Sequence, residues 1–144
     1  MISLEVRRTI RASAERLFEI WTQPQHLKRW WGPGPVLCVD AEVDLRVGGR
    51  YRIGNQMPDG TVLWISGEFE TIDPPRLLVY TWTVEGGTMP PERVTVHFEA
   101  RGDVTDVIVL HERISDIPLR DQHIKGWEGC LDGLERYLDS GLLH

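Results

Sequence analysis

The chain has 144 residues, of which 41% are hydrophobic and 26% are charged. This composition is that of an ordinary globular domain and excludes a disordered or low-complexity protein. The formal net charge of -6, with basic residues scattered along the chain, disfavours nucleic acid as a partner. The length predicts one domain over residues 1–144.

The first predicted element is a strand near the N-terminus. Leu4, Val6, Arg8 and Ile10 alternate with more polar residues, which is the period of a half-buried strand. The same region lacks the apolar stretch of a signal peptide, and no run in the chain reaches membrane-spanning length. We therefore expect a cytoplasmic protein without a membrane span.

Two short helices are predicted next. Ser13 is a suitable N-cap for the first helix, and Pro24 suits the first turn of the second. The Gly-Pro-Gly-Pro run at residues 32–35 must end the second helix, because neither residue type continues a helix well. The apolar residues that these helices would bury are Leu17, Phe18, Trp21, Leu27, Trp30 and Trp31.

Six further segments have the character of strands. They are Val36 to Leu45, Arg50 to Met57, Thr61 to Ile72, Leu77 to Val84, Arg93 to Arg101 and Thr105 to Arg113. Short links rich in Gly, Pro and Asp separate most of them, and such links form tight turns. Consecutive strands joined in this way pair antiparallel.

The last predicted element is a long helix. Trp127, Leu131, Leu134 and Leu138 recur at helical spacing on roughly one face. The helix also contains three glycines, Gly126, Gly129 and Gly133, each of which costs about 1 kcal/mol relative to alanine. Their number indicates close packing or a bend. The order of elements predicts an α+β layer in which this helix covers one face of the sheet.

Several motifs follow one another in an order that resembles a known family. They are Ala14 to Phe18, Trp21 to Pro24, Leu27 to Pro33, Asp44 to Tyr51, Pro58 to Gly60, Gly67 to Phe69, Pro75 to Leu77 and Gly126-Trp127. In this order they resemble the activator of heat-shock protein 90 ATPase homologue family, within the SRPBCC superfamily, which is also called START-like or Bet v 1-like. The resemblance implies a helix-grip fold: a curved antiparallel sheet of about seven strands, two short helices after strand 1 and a long C-terminal helix.

The resemblance also implies a function in small-molecule binding. Many members of the superfamily enclose a hydrophobic cavity, so we expect a small hydrophobic or aromatic ligand between the sheet and the C-terminal helix, without a cofactor. A chaperone-interacting regulatory module is the alternative, and a cavity enzyme of cyclase or hydrolase type using His111 or Glu112 is a third. The sequence offers no recognisable catalytic arrangement, so we expect a binding protein rather than an enzyme. Either a monomer or a homodimer is compatible with the sequence.

Eight residues are candidates for the cavity lining. They are Arg8, Tyr51, Phe69, Trp82, Val109, His111, Trp127 and Cys130. Trp82 and Trp127 are the preferred wall residues, because strand and closing helix face each other in the resembled fold. Any single tryptophan is nevertheless more often plain core than ligand wall.

The polar candidates each have a structural alternative. Arg8 would need either a ligand acid or a protein carboxylate, and the protein pair is favoured. His111 could face the cavity or be a hydrogen-bonded core histidine, and the core role is favoured. His123 could reach the mouth of the pocket, although exposure to solvent is favoured for it. Cys38 and Cys130 are expected to be reduced thiols, and no histidine pair has the spacing of a metal site.

Overall fold

The computed structural model describes residues 2–32 and 34–140, which contain seven strands and three helices. The strands are β1 (Ile2–Ile10), β2 (Leu37–Val43), β3 (Arg50–Gln56), β4 (Val62–Asp73), β5 (Leu77–Val84), β6 (Glu92–Arg101) and β7 (Val104–Ile114). The helices are α1 (Ala14–Thr22), α2 (Pro24–Trp30) and α3 (Ile117–Asp139). All strands pair antiparallel in one sheet with the order β1-β7-β6-β5-β4-β3-β2. The predicted helix-grip fold class is confirmed.

Tight turns explain why β2 to β7 lie beside their neighbours in sequence. Gly48, Gly60, Gly86 and Gly102 have φ angles of 83°, 92°, 86° and 67°, a region that side chains rarely adopt. The connection from β1 to β2 differs, because α1 and α2 carry the chain to the other edge of the sheet. Within the predicted helix-ending run, Pro33 lies outside the described residues.

The helices begin where the sequence predicts. Ser13 accepts a hydrogen bond from the Arg16 amide at the start of α1, and Asp116 accepts one from the Leu119 amide at the start of α3. These bonds satisfy backbone donors that have no partner within the helix. Pro24 occupies the first turn of α2, where its missing N–H costs nothing.

The glycines of α3 have different surroundings. A Cβ on Gly133 would lie 2.6 Å from the carbonyl oxygen of Trp30, so α3 approaches the end of α2 more closely than any side chain would permit. A Cβ on Gly126 would meet nothing within 4 Å. The predicted close packing therefore explains Gly133 and does not explain Gly126.

Tryptophan rings form much of the core between the sheet and α3. Five of the six tryptophans make a connected cluster with centroid separations of 4.9 to 6.1 Å: Trp21, Trp30, Trp31, Trp82 and Trp127. Trp64 is different, because the guanidinium of Arg52 lies 3.7 Å from its ring centroid and the residue is only half-buried. Trp64 therefore lies outside this cluster.

Within residues 2–32 and 34–140, no helix combines the length and the apolar content needed to cross a bilayer.

Candidate functional site

A cavity of about 280 Å³ lies between the sheet and α3. Its aromatic walls are Trp31, Trp82 and Trp127, all of which belong to the tryptophan cluster. The other lining residues are Val36, Asn55, Met57, Leu63, Ile65, Val84, Leu119, Gln122, His123, Gly126 and Cys130. The volume is near the lower end of small-molecule sites, which enclose roughly 300–1,000 Å³.

Two polar atoms in this lining are buried without a hydrogen bond. They are the indole Nε1 of Trp82, which is a donor, and the side-chain oxygen Oδ1 of Asn55, which is an acceptor. Leaving such a group unpaired costs about 1–3 kcal/mol, so native proteins seldom retain one without a reason. Both residues line the cavity, but the two atoms themselves lie beneath its surface, so only a change of side-chain rotamer would turn either atom toward a bound molecule.

A second, inner pocket is almost filled by side chains. Its volume is only about 20 Å³, enough for roughly one water molecule. Tyr51 and Phe69 line it, and the Tyr51 hydroxyl already donates to the carbonyl of Thr81 at 2.6 Å. Trp31 and Trp82 line both spaces and so lie between them. Tyr51 and Phe69 consequently belong to the packed interior beside the larger cavity.

One end of the cavity adjoins a cluster formed by Glu92, His111 and His123. The Nε2 atoms of His111 and His123 lie 2.7 Å and 3.0 Å from the same carboxylate oxygen, Oε1 of Glu92. The two imidazole rings stack with centroids 4.4 Å apart. The three residues come from β6, β7 and α3, so only the folded chain brings them together.

Strand and helix periodicity point these side chains inward. Glu92 begins the buried alternation that continues through Val94 in β6, and Val94 pairs with His111 across the sheet. His123 precedes Trp127 by one helical turn, so both project from the same face of α3. The cluster therefore follows from the register of β6 and β7 and from the rotation of α3.

The hydrogen bonds also fix the proton on His111. The indole N–H of Trp127 donates to His111 Nδ1 at 3.0 Å, so Nδ1 carries no proton. The proton of the neutral ring is then on Nε2, where it is donated to Glu92. Burial is the main cause that lowers the pKa of His111, which favours this neutral form. With both nitrogens engaged and no exposed surface, His111 is poorly placed to act as an acid or base on a ligand.

The cluster has the residue types of a metal site, since its ligand atoms lie within 4.8 Å of one another. A metal on His111 Nε2 would require the proton on Nδ1, and that proton would then face the indole N–H of Trp127. Metal-bound histidines instead direct this N–H toward an acceptor. The donor opposite Nδ1 fits a hydrogen-bonded carboxylate better than a metal centre.

The cluster leads to a prediction about acid stability. Burial opposes ionisation of Glu92, but the hydrogen bonds from His111 and His123 outweigh it and lower the pKa of Glu92 to about 2. Because Glu92 and His111 both have lowered pKa values, the unfolded chain binds more protons below about pH 6.5. The free energy of unfolding is therefore expected to fall as the pH decreases. Protonation of His111 in the unfolded chain causes the first part of this fall, and protonation of Glu92 causes the second part between about pH 4.5 and about pH 2.

Chemical denaturation at several pH values measures this dependence, and Glu92→Gln provides the comparison. Asp106 also has a pKa of about 2, lowered by Arg101 and then Thr9, but its contribution is common to both proteins. The free energy of unfolding should therefore change less steeply with pH in Glu92→Gln than in the wild type below about pH 5. Parallel curves would contradict the assignment.

The eight predicted lining residues have different locations. Trp82, Trp127 and Cys130 line the larger cavity, Tyr51 and Phe69 line the inner pocket, and His111 lies behind Trp127. Val109 is fully buried and lines neither space. Arg8 does not reach the cavity, because its guanidinium lies 2.8 Å from Asp132 and 3.5 Å from Glu135 of α3. The protein pair favoured for Arg8 is the arrangement found.

The two cysteines are buried free thiols. Burial raises the pKa of Cys130 to about 12, so its thiol stays protonated at neutral pH. This leaves Cys130 as an apolar wall residue of the cavity.

Asn55 and Glu92 are not among the residues predicted for the site, and His123 was expected to face solvent. Glu92 lies one residue before the predicted start of its strand, although its parity with Val94 was a usable signal. His123 is mostly buried, because Glu92 and the cavity lie beside it. The histidine spacing gave no hint of the cluster, since its members come from three separate elements.

Comparison with known proteins identifies relatives of the whole fold. The family model described as Activator of Hsp90 ATPase homolog 1-like protein matches residues 11–139. A crystal structure of the AHSA1 protein from Silicibacter pomeroyi has a TM-score of 0.87 at 23% identity, covering 99% of this chain and 100% of that one. A protein from Chromobacterium violaceum has a TM-score of 0.86 at 24% identity, with 94% and 95% covered.

An AHSA1-like protein from Aeromonas hydrophila, solved by NMR, has a TM-score of 0.80 at 25% identity, with 99% of this chain and 96% of that chain covered. No curated protein matches the chain in sequence. The structural neighbours establish the fold, and the family model spans most of the described residues. The chain belongs to the Activator of Hsp90 ATPase homolog 1-like family.

Proposed function

We propose that this protein binds a small, largely apolar molecule in the 280 Å³ cavity between the sheet and α3. The observation that carries the proposal is the cavity itself, whose lining is mainly apolar and includes the indole rings of Trp31, Trp82 and Trp127. A molecule that fills it removes this apolar surface from water, which is favourable by roughly 25 cal/mol per Å². The unpaired Trp82 Nε1 and Asn55 Oδ1 belong to lining residues and would gain partners only if their side chains turned toward the ligand.

The residues that line the cavity indicate the polarity and size of the ligand. The three tryptophans of the lining favour an aromatic or flat apolar body, because aromatic pairs add about 0.5–1.5 kcal/mol beyond simple burial. The small volume favours a one- or two-ring compound over a long lipid.

Phenylbutanol is a suitable probe, because its ring fits the apolar walls and its hydroxyl group both donates and accepts. Isothermal titration calorimetry should give saturable binding to the wild type, with a dissociation constant of about 1 mM or below. Gly126→Leu should weaken it by about tenfold or more, because the added side chain extends into the open space of the cavity.

The matched control is Lys125→Leu, which adds the same side chain to an exposed position of α3. It should bind phenylbutanol as the wild type does. Absence of saturable binding to the wild type, or equal binding by Gly126→Leu, would argue against the cavity as a ligand site.

The alternative of a chaperone-interacting module stays a prediction. A pull-down with bacterial heat-shock protein 90 followed by an ATPase assay addresses it directly. Absence of binding at micromolar protein concentration would leave that alternative unsupported.

A further inference from the structure

Glu92 differs from the other acidic side chains of the described residues, because it is the one acid among their buried residues. Elsewhere, Arg52, Arg93 and Arg101 pair with carboxylates at the surface. Among the described residues, Glu92 contacts the imidazoles of His111 and His123 and no arginine or lysine. The hydrogen bonds of these two rings keep the carboxylate ionised although it is mostly buried.

Only one of the two carboxylate oxygens of Glu92 accepts hydrogen bonds from the described residues. Both imidazoles bond to Oε1, and no hydrogen bond from the described residues reaches Oε2. Glu92 lines a recess of about 160 Å³ together with Trp82, Met89, Pro90 and His123. Oε2 is therefore the oxygen that remains for a molecule in this recess.

The recess adjoins the larger cavity. Trp82, Val84, Leu119 and His123 line both spaces, so these side chains lie between the cavity and Glu92, and a ligand that reaches both spaces extends past them. Trp82 also presents its ring at this junction, and an aromatic face attracts cations. The junction thus combines a carboxylate oxygen, an aromatic face and apolar walls.

We propose that the recess beside Glu92 binds the protonated amine end of the ligand, so that the ligand is an amphipathic amine with an apolar body in the larger cavity. This inference rests on the proposed function, because it specifies the head group of the same ligand. The ammonium donates to Oε2 of Glu92 and lies against the ring of Trp82. It adds to this carboxylate the cationic donor that no arginine or lysine of the described residues provides.

Three probes of similar shape test the head group: phenylbutylamine, phenylbutanol and phenylbutyrate. Calorimetry near pH 7 should rank them in that order, with the amine binding about tenfold more tightly than the alcohol and the acid most weakly. Glu92→Gln should reduce the difference between amine and alcohol to about twofold or less while phenylbutanol still binds.

The control is Glu99→Gln, which makes the same change of charge at an exposed position of β6. It should keep the full amine preference, because a preference due to the net charge of -6 would weaken equally in both variants. If Glu92→Gln fails to fold, the three probes on the wild type still decide the question.

The outcomes separate the two proposals. If phenylbutanol binds and the amine binds no more tightly, the inference about the amine is wrong and the proposed function stands. If none of the three probes binds, both are wrong. Stoichiometric zinc binding that is lost in Glu92→Gln and prevents amine binding would also overturn the inference, because the cluster would then hold a metal.

Discussion

Replacing His111 with alanine is expected to lower the free energy of unfolding by about 3–5 kcal/mol. The imidazole is fully buried and bonds on both sides, accepting from Trp127 Nε1 and donating to Glu92 Oε1. Alanine would leave a space, an indole N–H without an acceptor and a buried carboxylate with one donor fewer. Domains of this size are stable by about 5–15 kcal/mol, so the loss would bring the variant close to unfolding.

Urea denaturation followed by tryptophan fluorescence and circular dichroism measures this change. His97→Ala on β6 is the matched control, because His97 is partly exposed and its loss should cost about 1 kcal/mol or less. A loss below about 1 kcal/mol in His111→Ala would show that the hydrogen bonds among Trp127, His111 and Glu92 contribute little to the fold.

The second large effect is expected at Gly133, where alanine should destabilise the protein by about 2–3 kcal/mol. A Cβ at this position would lie 2.6 Å from the Trp30 carbonyl oxygen, which is backbone and cannot rotate away. The helix α3 would have to move from the end of α2. This cost exceeds the gain in helix propensity, which is about 1 kcal/mol.

Gly126→Ala is the matched comparison in the same helix. Its Cβ meets nothing within 4 Å, so alanine should stabilise the protein by about 0.5–1 kcal/mol through helix propensity and the unfolded chain. The two variants should thus change the urea midpoint in opposite directions. Destabilisation by Gly126→Ala would contradict the open surroundings of that residue, and a Gly133→Ala variant as stable as the wild type would contradict the close contact with Trp30.

The elements of the fold could be predicted because their signals are local. The alternation at Leu4, Val6 and Ile10 reports one half-buried face of β1, and all three side chains are buried. Glycines in the turns report a backbone conformation that other residues disfavour, as the positive φ of Gly60 shows. The strand ends differ from the prediction by one or two residues in most cases, as β2 illustrates by beginning at Leu37 and not Val36.

The site could be predicted only in part. Trp82 and Trp127 were expected at the cavity wall, because the strand and the closing helix that carry them face each other in the resembled fold. Both residues line the larger cavity. Tyr51 and Phe69 have the same inward parity but lie where the sheet is filled by the rings of Trp21 and Tyr80. Parity distinguishes inside from outside, and it does not distinguish a packed interior from an open one.

The sequence by itself determined the order of strands and helices, their inward faces and the family, because these depend on spacing along the chain. Tertiary structure alone decided that Glu92 lies between two histidines and that Trp82 Nε1 and Asn55 Oδ1 lack partners. Glu92 and His123 are 31 residues apart, and their meeting depends on the register of β6 and β7 and on the rotation of α3. Contacts over such separations are set by the packing of whole elements, so no local pattern encodes them.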